Sequence, residues 1–285
     1  MNDCLASPDV LPNSPIVDAT PTAGRVRLFG MSIDPLRMAE AVGRLLEWAD
    51  DGDRRCRYVV TPNADHAVLL QEHERLRQAY ADADLVLVDG MPVLFAAKLL
   101  RRGIPERVTG SDLVPALFTA ATERHLNQRG RSADRQLRVY LLGAAPGVAQ
   151  RAAIKIEQRW PGVQIVGCDS PAVGFEKRPE ENEIILGSIA AADVDVLIVG
   201  LGAPKQELWV HAHRHRIAAP VALCVGATID FLAGEKPRAP IWMRRIGLEW
   251  LHRMASEPRR LAKRYLRDAI RFPGLVWREW TAGRA

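Results

Sequence analysis

The sequence predicts an α/β protein with an open, mainly parallel sheet, helices on both faces of that sheet, and a basic helical C-terminal appendage. Short apolar runs rich in β-branched residues alternate with amphipathic stretches, which is typical of parallel strands buried on both faces. Several of these runs end in glycine-containing turns that open a helix. Beyond Glu235 the chain becomes strongly basic and rich in tryptophan, which separates an appendage from the core.

The first half of the predicted core contains four units in which a short run is followed by a helix. The helices are recognised by apolar residues that recur at helical spacing. Thr61-Pro62-Asn63 and Asp89-Gly90 separate two runs from their helices, because proline and glycine end regular structure and Asn or Asp can cap a helix. In order, the segments are "RVRLFGMSI" with a helix over about 35–48, "RYVV" with a helix to about 80, "DLVLV" with a helix to about 100, and "RVTG" with a helix over about 111–127.

The second half of the core repeats the pattern. The strand "RVYLLG" enters the turn 143–147, and "DVLIVGLG" enters a second glycine-rich turn before a helix that starts at Pro204. Between them lies "VQIVGCDS" with a helix near 180–191, and the series closes with "VALCVG" and "ATIDFLAG". We expect a core over 25–234, an appendage over 235–285, and a disordered, proline-rich segment over 1–24.

The bulk composition excludes two classes of protein. The 285 residues are 48% hydrophobic and 26% charged, which is ordinary for a globular protein with a sizeable core. The four cysteines contain no C-x-x-C pair, so the sequence predicts neither a disulfide framework nor a zinc site. Because the sequence lacks a signal-peptide pattern and a long apolar run, we expect a cytoplasmic protein that does not span a membrane.

The basic character of the chain is concentrated in the appendage. Residues 235–285 hold 13 Lys and Arg against 5 Asp and Glu, a net charge of +8, so the other residues sum to −3 within the total of +5. Four of the seven tryptophans also lie in this segment. Cations combined with interfacial aromatic residues suit an anionic lipid surface or a nucleic acid.

A helical wheel of the appendage predicts a basic amphipathic helix that starts near Pro258. One stripe of the wheel carries only cations, and the opposite side is apolar. The cationic stripe contains Arg260, Lys263, Arg264, Arg267 and Arg271, and the apolar side contains Leu261, Ala262, Tyr265, Leu266, Ala269 and Ile270. Two interpretations remain: a solvated charged face over a core-facing apolar face, or a helix whose cations bind a membrane surface.

Several predicted strands end in polar or glycine-rich residues, and ligands of open parallel sheets bind outside the carboxyl ends of the strands. Thr61 and Asn63 follow one strand, Asp89 follows the next, and the turn "VGLGAPKQE" (199–207) follows a later one. Backbone N–H groups of such a turn could hold a phosphate. Neither glycine-rich turn completes G-x-G-x-x-G, which argues against a dinucleotide site.

Six segments in a fixed order carry a resemblance to a known family. They are "TPNADH", "ADLVLVDGMPV", "ERVTGSDL", "VGLGAPKQE", "VGATIDFLAG" and "RAPIWMRRIGLEWLHRMASEPRRLAKRYL". Together they resemble the WecG/TagA/CpsF glycosyltransferases over roughly residues 26–270. The resemblance implies a Rossmann-like core and inverting transfer of a sugar, usually from a UDP-sugar, to a sugar on a polyprenyl diphosphate. It also implies a membrane-engaging appendage on the inner face of the cell membrane, with no cofactor.

The resemblance assigns roles to individual residues. Asp89 matches the family's proposed base, and a carboxylate at an exposed strand end suits the removal of a hydroxyl proton; the alternative is that Asp89 caps the following helix. Thr61 and Asn63 match positions near the acceptor or the reacting sugar. Arg107 matches an arginine that stabilises the leaving diphosphate, and its guanidinium offers a fork of donors for that purpose.

Further candidates lie on the nucleotide side and in the appendage. Gln206 matches a nucleotide contact, and the other substrate-binding candidates are Gly202, Lys205, Glu207 and Asp230. The candidates for contact with the lipid diphosphate or the membrane are Arg253, Arg260, Lys263, Arg264 and Arg267, of which Arg253 and Arg260 match recurrent basic positions of the family. The protein is also a possible homo-oligomer.

No metal site is expected. The triplets Asp82-Ala-Asp84 and Asp193-Val-Asp195 precede their strands and are interpreted as solvated turns at the edge away from the crevice. His211 and His215 have metal-binding spacing, but an exposed helix face is the simpler interpretation.

Two other functional classes share parts of this pattern. A nicotinamide-dependent nucleotide-sugar dehydrogenase would share the sheet but lacks its glycine fingerprint here. A nucleic-acid-binding module would not explain six ordered motifs in a nearly neutral core, so no nucleic-acid partner is expected.

Overall fold

The computed structural model describes residues 24–128 and 135–282. The predicted disordered segment 1–24 therefore lies outside the described residues except for Gly24. In the described part, six strands form the central sheet: β3 (Arg57–Val60), β4 (Leu85–Val86), β5 (Leu137–Gly143), β6 (Val163–Asp169), β7 (Val196–Gly200) and β8 (Val221–Cys224). Their order is β4-β3-β8-β7-β5-β6, and all neighbours are parallel. The predicted parallel sheet is confirmed.

Helices cover both faces of this sheet. Those of the core are α1 (Met38–Asp50), α2 (Ala64–Glu72), α3 (Glu74–Ala81), α4 (Met91–Leu99), α5 (Gly110–Gln128), α6 (Val148–Arg159), α7 (Pro179–Ala191), α8 (Lys205–His213) and α9 (Thr228–Ala233). Alternate residues of β3 show how the sheet divides the interior: Tyr58 and Val60 belong to one buried apolar cluster, and Val59 belongs to the other. This follows from the two-residue period of a strand, which sends successive side chains to opposite faces.

Three segments differ from the predicted elements. "RVRLFGMSI" is a hairpin of two antiparallel strands, β1 (Val26–Leu28) and β2 (Met31–Ile33), outside the main sheet. Phe29 and Gly30 connect them with φ of 52° and 80°, which fits a tight two-residue hairpin turn. "RVTG" forms no strand, and most of "ATIDFLAG" is helix α9.

The helix predicted to continue to Tyr80 is interrupted at His73. This residue has an extended backbone between α2 and α3, and its side chain accepts a hydrogen bond from the N–H of Leu76. The side chain thereby caps the second helix. The spacing of the apolar residues continues from α2 into α3, so it does not reveal this break.

The acids of the two D-x-D triplets lie at the N-terminal edge of the sheet, as predicted, but two of them are not solvated turn residues. Asp84 accepts a hydrogen bond from the N–H of Tyr58, and the buried Asp195 accepts one from the N–H of Arg138. These carboxylates tie neighbouring strands together, because each satisfies a backbone donor where a strand begins.

The histidines of the "HAHRH" segment do not share one helix face. His211 lies on α8, contacts Asp82 at 2.9 Å and is not fully exposed, whereas α8 ends at His213, before His215. Within residues 24–128 and 135–282, no three His, Cys, Asp or Glu side chains are grouped so that they could hold a metal ion.

The appendage consists of α10 (Ile241–Arg245), α11 (Glu249–Ser256) and α12 (Pro258–Ala282). The α12 helix packs along α2 and reaches the hairpin, where Phe272 contacts Phe29 with ring centroids 5.1 Å apart. None of the helices in the described ranges is long and apolar enough to cross a bilayer.

The orientation of α12 agrees only in part with the helical wheel: Leu261 of the apolar side is buried and Lys263 of the cationic stripe is exposed. Arg264 and Arg267 face the core and pair with Asp65 of α2, while Arg271 pairs with Glu72. Leu266 and Ile270, predicted for the buried side, are instead 64% and 70% exposed. The reason is that Asp65 of α2 faces α12 and turns Arg264 and Arg267 toward the core, whereas Lys263 and Arg271 stay exposed. We call the contacts of Arg264 and Arg267 with Asp65 the α2–α12 clasp.

Candidate active site

A cavity of about 550 Å³ lies at the carboxyl ends of the central strands. The loops after β3, β4, β7 and β8 form its floor, and helices of the appendage form its opposite wall. Of the sequence-predicted residues, the lining includes Thr61, Asn63, Asp89, Arg107, Gly202, Gln206, Asp230, Arg253 and Arg264. The fold therefore brings together core residues as far apart as Thr61 and Asp230, which are 169 positions apart in the chain, and adds residues from the appendage.

A second cavity of about 380 Å³ lies between α5, α6 and α9. Its cations include Lys155 and Arg159, both exposed on the last turns of α6. Cations are favourable at a helix C-terminus because they interact with the helix dipole, and this accounts for them without a ligand. We therefore place the candidate site in the larger cavity.

Asp89 lies at the floor of the larger cavity in a desolvated environment. Burial, followed by the like charge of Glu249, raises the pKa of its carboxyl group to about 6, although Arg107, Arg253 and His66 act in the opposite direction. A carboxylate with a pKa near neutrality can take up a proton at neutral pH more readily than an ordinary aspartate.

The alternative role of Asp89 as a helix cap is not realised. The N-cap of α4 is Gly90, and no side chain caps this helix end. Gly90 is required for a different reason: a Cβ there would lie 2.9 Å from Cα and Cβ of Asn63. The loops that carry Asp89 and Asn63 are thus packed against each other without room for a side chain at position 90.

Arg107 is held by the appendage rather than by the core. Its Nη1 lies 3.6 Å from Oε2 of Glu249, and its Nη2 donates a 3.3 Å hydrogen bond to the carbonyl of Arg244. Arg253 lines the same cavity and lies over the ring of Phe231. The guanidinium groups of Arg107 and Arg253 both lower the pKa of Asp89, and they lie where the appendage covers the cavity.

Thr61 and Asn63 follow β3 and are partly occupied by structural contacts. Thr61 Oγ1 donates a 3.1 Å hydrogen bond to the carbonyl of Cys224, which ties the end of β3 to β8. Asn63 Oδ1 accepts a 3.0 Å hydrogen bond from the N–H of Asp65 and caps α2. Because the oxygen of Asn63 is used in the cap, its amide nitrogen is the end left to meet a ligand.

The glycine-rich turn after β7 supplies the far side of the floor. Residues 200–203 line the cavity, and Gly202 has a φ of +79°, which favours glycine. Gln206 also reaches the cavity, but Lys205 and Glu207 are not part of its lining. Glu207 is fully buried beneath the floor, and Lys205 lies 3.9 Å from Glu176 on the outside of the turn.

The remaining predicted positions divide between the cavity and the outside. Asp230 lines the cavity and lies 3.7 Å from Nζ of Lys236. Arg267 belongs to the α2–α12 clasp, and Lys263 is exposed. Arg260 lies on α12, but its side chain falls outside the described part of the structure.

Several residues near the site were missed by sequence reasoning. His66 stands three positions after Asn63 in "TPNADH", the spacing of a capping box, which is the one local signal that could have indicated it. Glu249, Trp250, Tyr265 and Phe272 line the cavity from the appendage. Nothing in their spacing places them next to Asp89, since their proximity depends on how the appendage folds back.

Comparisons with known proteins fit this geometry. A family model described as "Glycosyl transferase WecG/TagA/CpsF family" matches residues 26–285. An N-acetylglucosaminyldiphosphoundecaprenol N-acetyl-beta-D-mannosaminyltransferase of Bacillus spizizenii (strain ATCC 23059 / NRRL B-14472 / W23) is 29% identical over 203 residues, which cover 71% of this chain and 72% of that protein. A protein of the same name from Staphylococcus aureus (strain MW2) is 24% identical over 247 residues, covering 87% of this chain and 91% of that protein.

Proposed function

Because the chain belongs to the WecG/TagA/CpsF glycosyltransferase family, we propose that it moves a sugar from a UDP-sugar to a sugar carried on a polyprenyl diphosphate, with inversion at the anomeric carbon. The names of both relatives describe an N-acetylmannosaminyltransferase that acts on N-acetylglucosaminyldiphosphoundecaprenol, which supports this acceptor class. The dehydrogenase alternative is set aside, because membership of this family makes the protein a transferase.

The observation that carries the proposal is Asp89, a desolvated carboxylate that faces a cavity and two guanidinium groups. In the proposed reaction, its carboxylate takes the proton of the acceptor hydroxyl while that oxygen attacks the anomeric carbon. The bond between this carbon and the diphosphate oxygen breaks on the opposite face, and the leaving diphosphate keeps the electron pair. Catalysis of this kind contributes about 10²- to 10⁴-fold.

The positive charges around Asp89 suit the departure of the diphosphate. Arg107 and Arg253 provide positive charge where the diphosphate accumulates negative charge as it leaves. Residues 200–203 and 225–228 line the cavity together with Thr61 and Asn63. In this proposal, the two backbone segments hold the donor, and Thr61 and Asn63 contact the reacting sugar. The glycine-rich turn leaves room for phosphate groups because glycine allows a ligand to approach the backbone closely.

A donor screen with the full chain tests this function. The acceptor is a short-chain, water-soluble polyprenyl diphosphate that carries N-acetylglucosamine, and the first donor is UDP-N-acetylmannosamine. We expect release of UDP that depends on the acceptor, and a product heavier by one sugar residue in mass spectrometry. Absence of an acceptor-dependent product with every UDP-sugar tested would contradict the proposal.

Replacing Arg107 by alanine is expected to lower kcat/KM by about 10- to 100-fold, since a hydrogen bond to a charged group contributes roughly 1.5–3 kcal/mol. The pH profile should change as well. Arg107 lowers the pKa of Asp89, so its removal should raise the pH at which Asp89 becomes protonated. The acid limb of the pH–rate profile, where the rate declines for this reason, should therefore move to higher pH. Initial rates over a pH series measure both effects, and Arg75→Ala, an exposed arginine of α3, is the charge-matched control. An unchanged kcat/KM and acid limb would remove Arg107 from the mechanism.

We propose that the protein contacts an anionic membrane surface through apolar side chains rather than through the clasped arginines. The exposed apolar residues of the appendage are Ile241, Trp242, Ile246, Trp250, Leu251, Leu266, Ile270 and Trp277. Exposed tryptophans beside aliphatic residues and cations are typical of helices that lie in a membrane interface. Arg264 and Arg267 are occupied by Asp65, which leaves less of their charge for lipid.

The double variant Leu266→Ser, Ile270→Ser is therefore expected to bind anionic vesicles at least about tenfold more weakly, because burial of each such side chain contributes roughly 1.5–3 kcal/mol. Co-sedimentation with vesicles measures this loss. The rate with the water-soluble acceptor should not change, since both side chains are exposed and lie outside the cavity lining. Val173→Ser, Ile184→Ser is the control, because these side chains are 91% and 67% exposed elsewhere. Equal vesicle binding by both double variants would contradict the assignment.

A further inference from the structure

Two ionisable side chains lie buried beneath the cavity and contact each other. The Nε2 of His66 is 3.2 Å from Oε1 of Glu207, and their side chains are 7% and 0% exposed. We infer that His66 and Glu207 are positioning residues, a buried imidazolium–carboxylate pair that orients Asn63 and Gln206 and keeps a positive charge near Asp89. This inference deepens the proposed transferase function and rests on it.

The first end of the pair fixes Asn63. The Nδ1 of His66 lies 3.0 Å from Asn63 Oδ1, which also accepts the N–H of Asp65. Both contacts draw the oxygen of Asn63 away from the ligand. The amide nitrogen of Asn63 is thereby directed to the cavity, where it can donate a hydrogen bond to an oxygen of the reacting sugar.

The second end fixes Gln206. Glu207 Oε1 accepts a 2.8 Å hydrogen bond from Nε2 of Gln206, and Oε1 of Gln206 accepts a 3.1 Å hydrogen bond from the N–H of Gly226. Gln206 is 3% exposed, so these bonds determine its rotamer. One hydrogen-bonded chain thus connects the loops after β3, β7 and β8, and it joins the sugar side of the cavity to the nucleotide side.

The surroundings of the pair favour a charged imidazole. Burial by itself would lower the pKa of His66, but Glu207, Asp65 and Asp89 together raise it above its usual value of 6.5. Asp65 is itself paired with Arg264 and Arg267 from α12. A buried carboxylate such as Glu207 requires a positive partner, and His66 supplies it.

Besides the carboxylates Asp65 and Asp89, the titratable groups next to the pair are Tyr80 and Cys224, and both are neutral. Tyr80 of α3 has its ring 6.1 Å from that of His66, and Cys224 ends β8 on the side of Glu207. Burial, with the charge of Glu207 as a further cause, keeps the pKa of both groups well above the usual values. Tyr80 and Cys224 therefore add no charge next to His66 and Glu207.

The protonated state matches the distances at both ring nitrogens. With a proton on each nitrogen, Nδ1 of His66 donates to Asn63 Oδ1 and Nε2 donates to Glu207 Oε1. A neutral ring that keeps only the Nε2 proton still donates to Glu207, but its Nδ1 then accepts the backbone N–H of Asn63 at 3.3 Å. Loss of the Nε2 proton leaves two acceptors facing each other at Glu207 Oε1, which weakens the orientation of Gln206. Loss of the Nδ1 proton removes the donor to Asn63 Oδ1, so the side chain of Asn63 is held less firmly although its backbone N–H still has an acceptor. The charge of His66 also lowers the pKa of Asp89.

Two limbs of the pH profile follow from this arrangement. As the pH rises through the raised pKa of His66, the imidazole loses its charge and transfer should decline. As the pH falls through the pKa of Asp89, which is about 6, the base becomes protonated and transfer should also decline. The rate should therefore depend on pH in a bell-shaped manner.

The decisive variant is Glu207→Gln, which preserves the size of the side chain and an oxygen acceptor but removes the charge. We expect the alkaline limb of kcat/KM to move down by about one pH unit or more, since an opposite charge shifts a pKa by that amount. The acid limb should move up, because a neutral His66 no longer lowers the pKa of Asp89. A purely structural role would change the melting temperature without moving the two limbs toward each other.

A surface pair of the same chemical type provides the control. His211 and Asp82 are in contact at 2.9 Å, with Asp82 at the opposite edge of the sheet from the cavity. Asp82→Asn should leave both limbs where they are in the unmodified protein. If the limbs of Glu207→Gln coincide with those of the unmodified, equally folded protein, the inference is overturned.

Nuclear magnetic resonance gives a test that needs no transfer. In the full chain with labelled histidine, the ring of His66 should titrate above pH 6.5 and should titrate at lower pH in Glu207→Gln. A normal or lowered pKa of His66 in the unmodified protein would overturn the inference even if transfer is observed. A raised pKa of His66 without any sugar transfer would contradict the proposed function but not the buried pair. If Glu207→Gln does not fold, the pKa of His66 in the unmodified protein alone tests the inference.

Discussion

Replacing Asp89 by asparagine is expected to lower kcat by about two to four orders of magnitude, the contribution of a general base. Asparagine has nearly the same shape but cannot accept the proton of the attacking hydroxyl. The variant should fold and bind UDP like the unmodified chain, because Asp89 does not cap α4. Initial rates with the water-soluble acceptor, together with calorimetry of UDP binding, measure these outcomes.

A strand-end acid outside the cavity provides the matched control for this substitution. Asp169 ends β6, accepts a hydrogen bond from the hydroxyl of Tyr140, and is not part of the lining. Asp169→Asn should therefore keep kcat within a small factor of the unmodified value. Turnover by Asp89→Asn at a similar level would remove Asp89 from the mechanism.

The environment of Asp89 also predicts how its acid limb responds to the appendage. Burial and Glu249 raise the pKa of Asp89 to about 6, so the rate of the unmodified protein should decline as the pH falls through that value. Glu249→Gln removes a like charge and should shift the acid limb to lower pH. A limb that stays in place would mean that Glu249 does not act on the base in solution.

Ending the chain after Gly234 is expected to abolish most transfer and vesicle binding while the α/β core remains folded. The apolar core should survive because, within the described ranges, the buried apolar residues beyond Gly234 are only Ala239, Leu261 and Leu275. Activity should be lost because the truncation removes Glu249 and Arg253 from the cavity. Circular dichroism, vesicle co-sedimentation and rates with the water-soluble acceptor measure the three properties.

The water-soluble acceptor separates the two possible roles of the appendage. Equal rates for truncated and full-length protein would mean that the appendage only anchors the enzyme. We expect instead that the truncated protein stays slower with this acceptor, which would mean that the appendage completes the site. A chain without residues 1–23, which precede the family match at 26–285, is the control for shortening at the other end and should remain active.

The parallel sheet could be predicted from the sequence because its signals are local. Each buried strand is a short apolar run, and each helix repeats its apolar residues every three or four positions, so neighbours in the chain suffice to identify them. Thr61, Asn63, Asp89 and Gln206 could be placed near one crevice for a related reason. Parallel strands bring their carboxyl ends to one edge of the sheet, whatever the distance between them in the chain.

The short hairpin and the breaks in the helices were not predictable in the same way. Phe29 adopts a φ of 52° in a turn whose sequence lacks the usual Asn-Gly signal, and its ring packs on Phe272, more than 240 residues later. The turn residue Phe29 thus contacts α12, a partner that the local sequence of the hairpin does not reveal.

Only the tertiary structure decided which face of α12 is buried, and which charges surround Asp89. A helical wheel identifies a cationic and an apolar face, but it cannot show that the buried Asp65 on α2 faces this helix and pairs with Arg264 and Arg267. In the same way, the sequence makes Glu207 a candidate for substrate binding, yet it is buried against His66, 141 positions away. Sequence spacing determines the local conformation of the chain, whereas the partner of a buried charge depends on which segments meet in the folded protein.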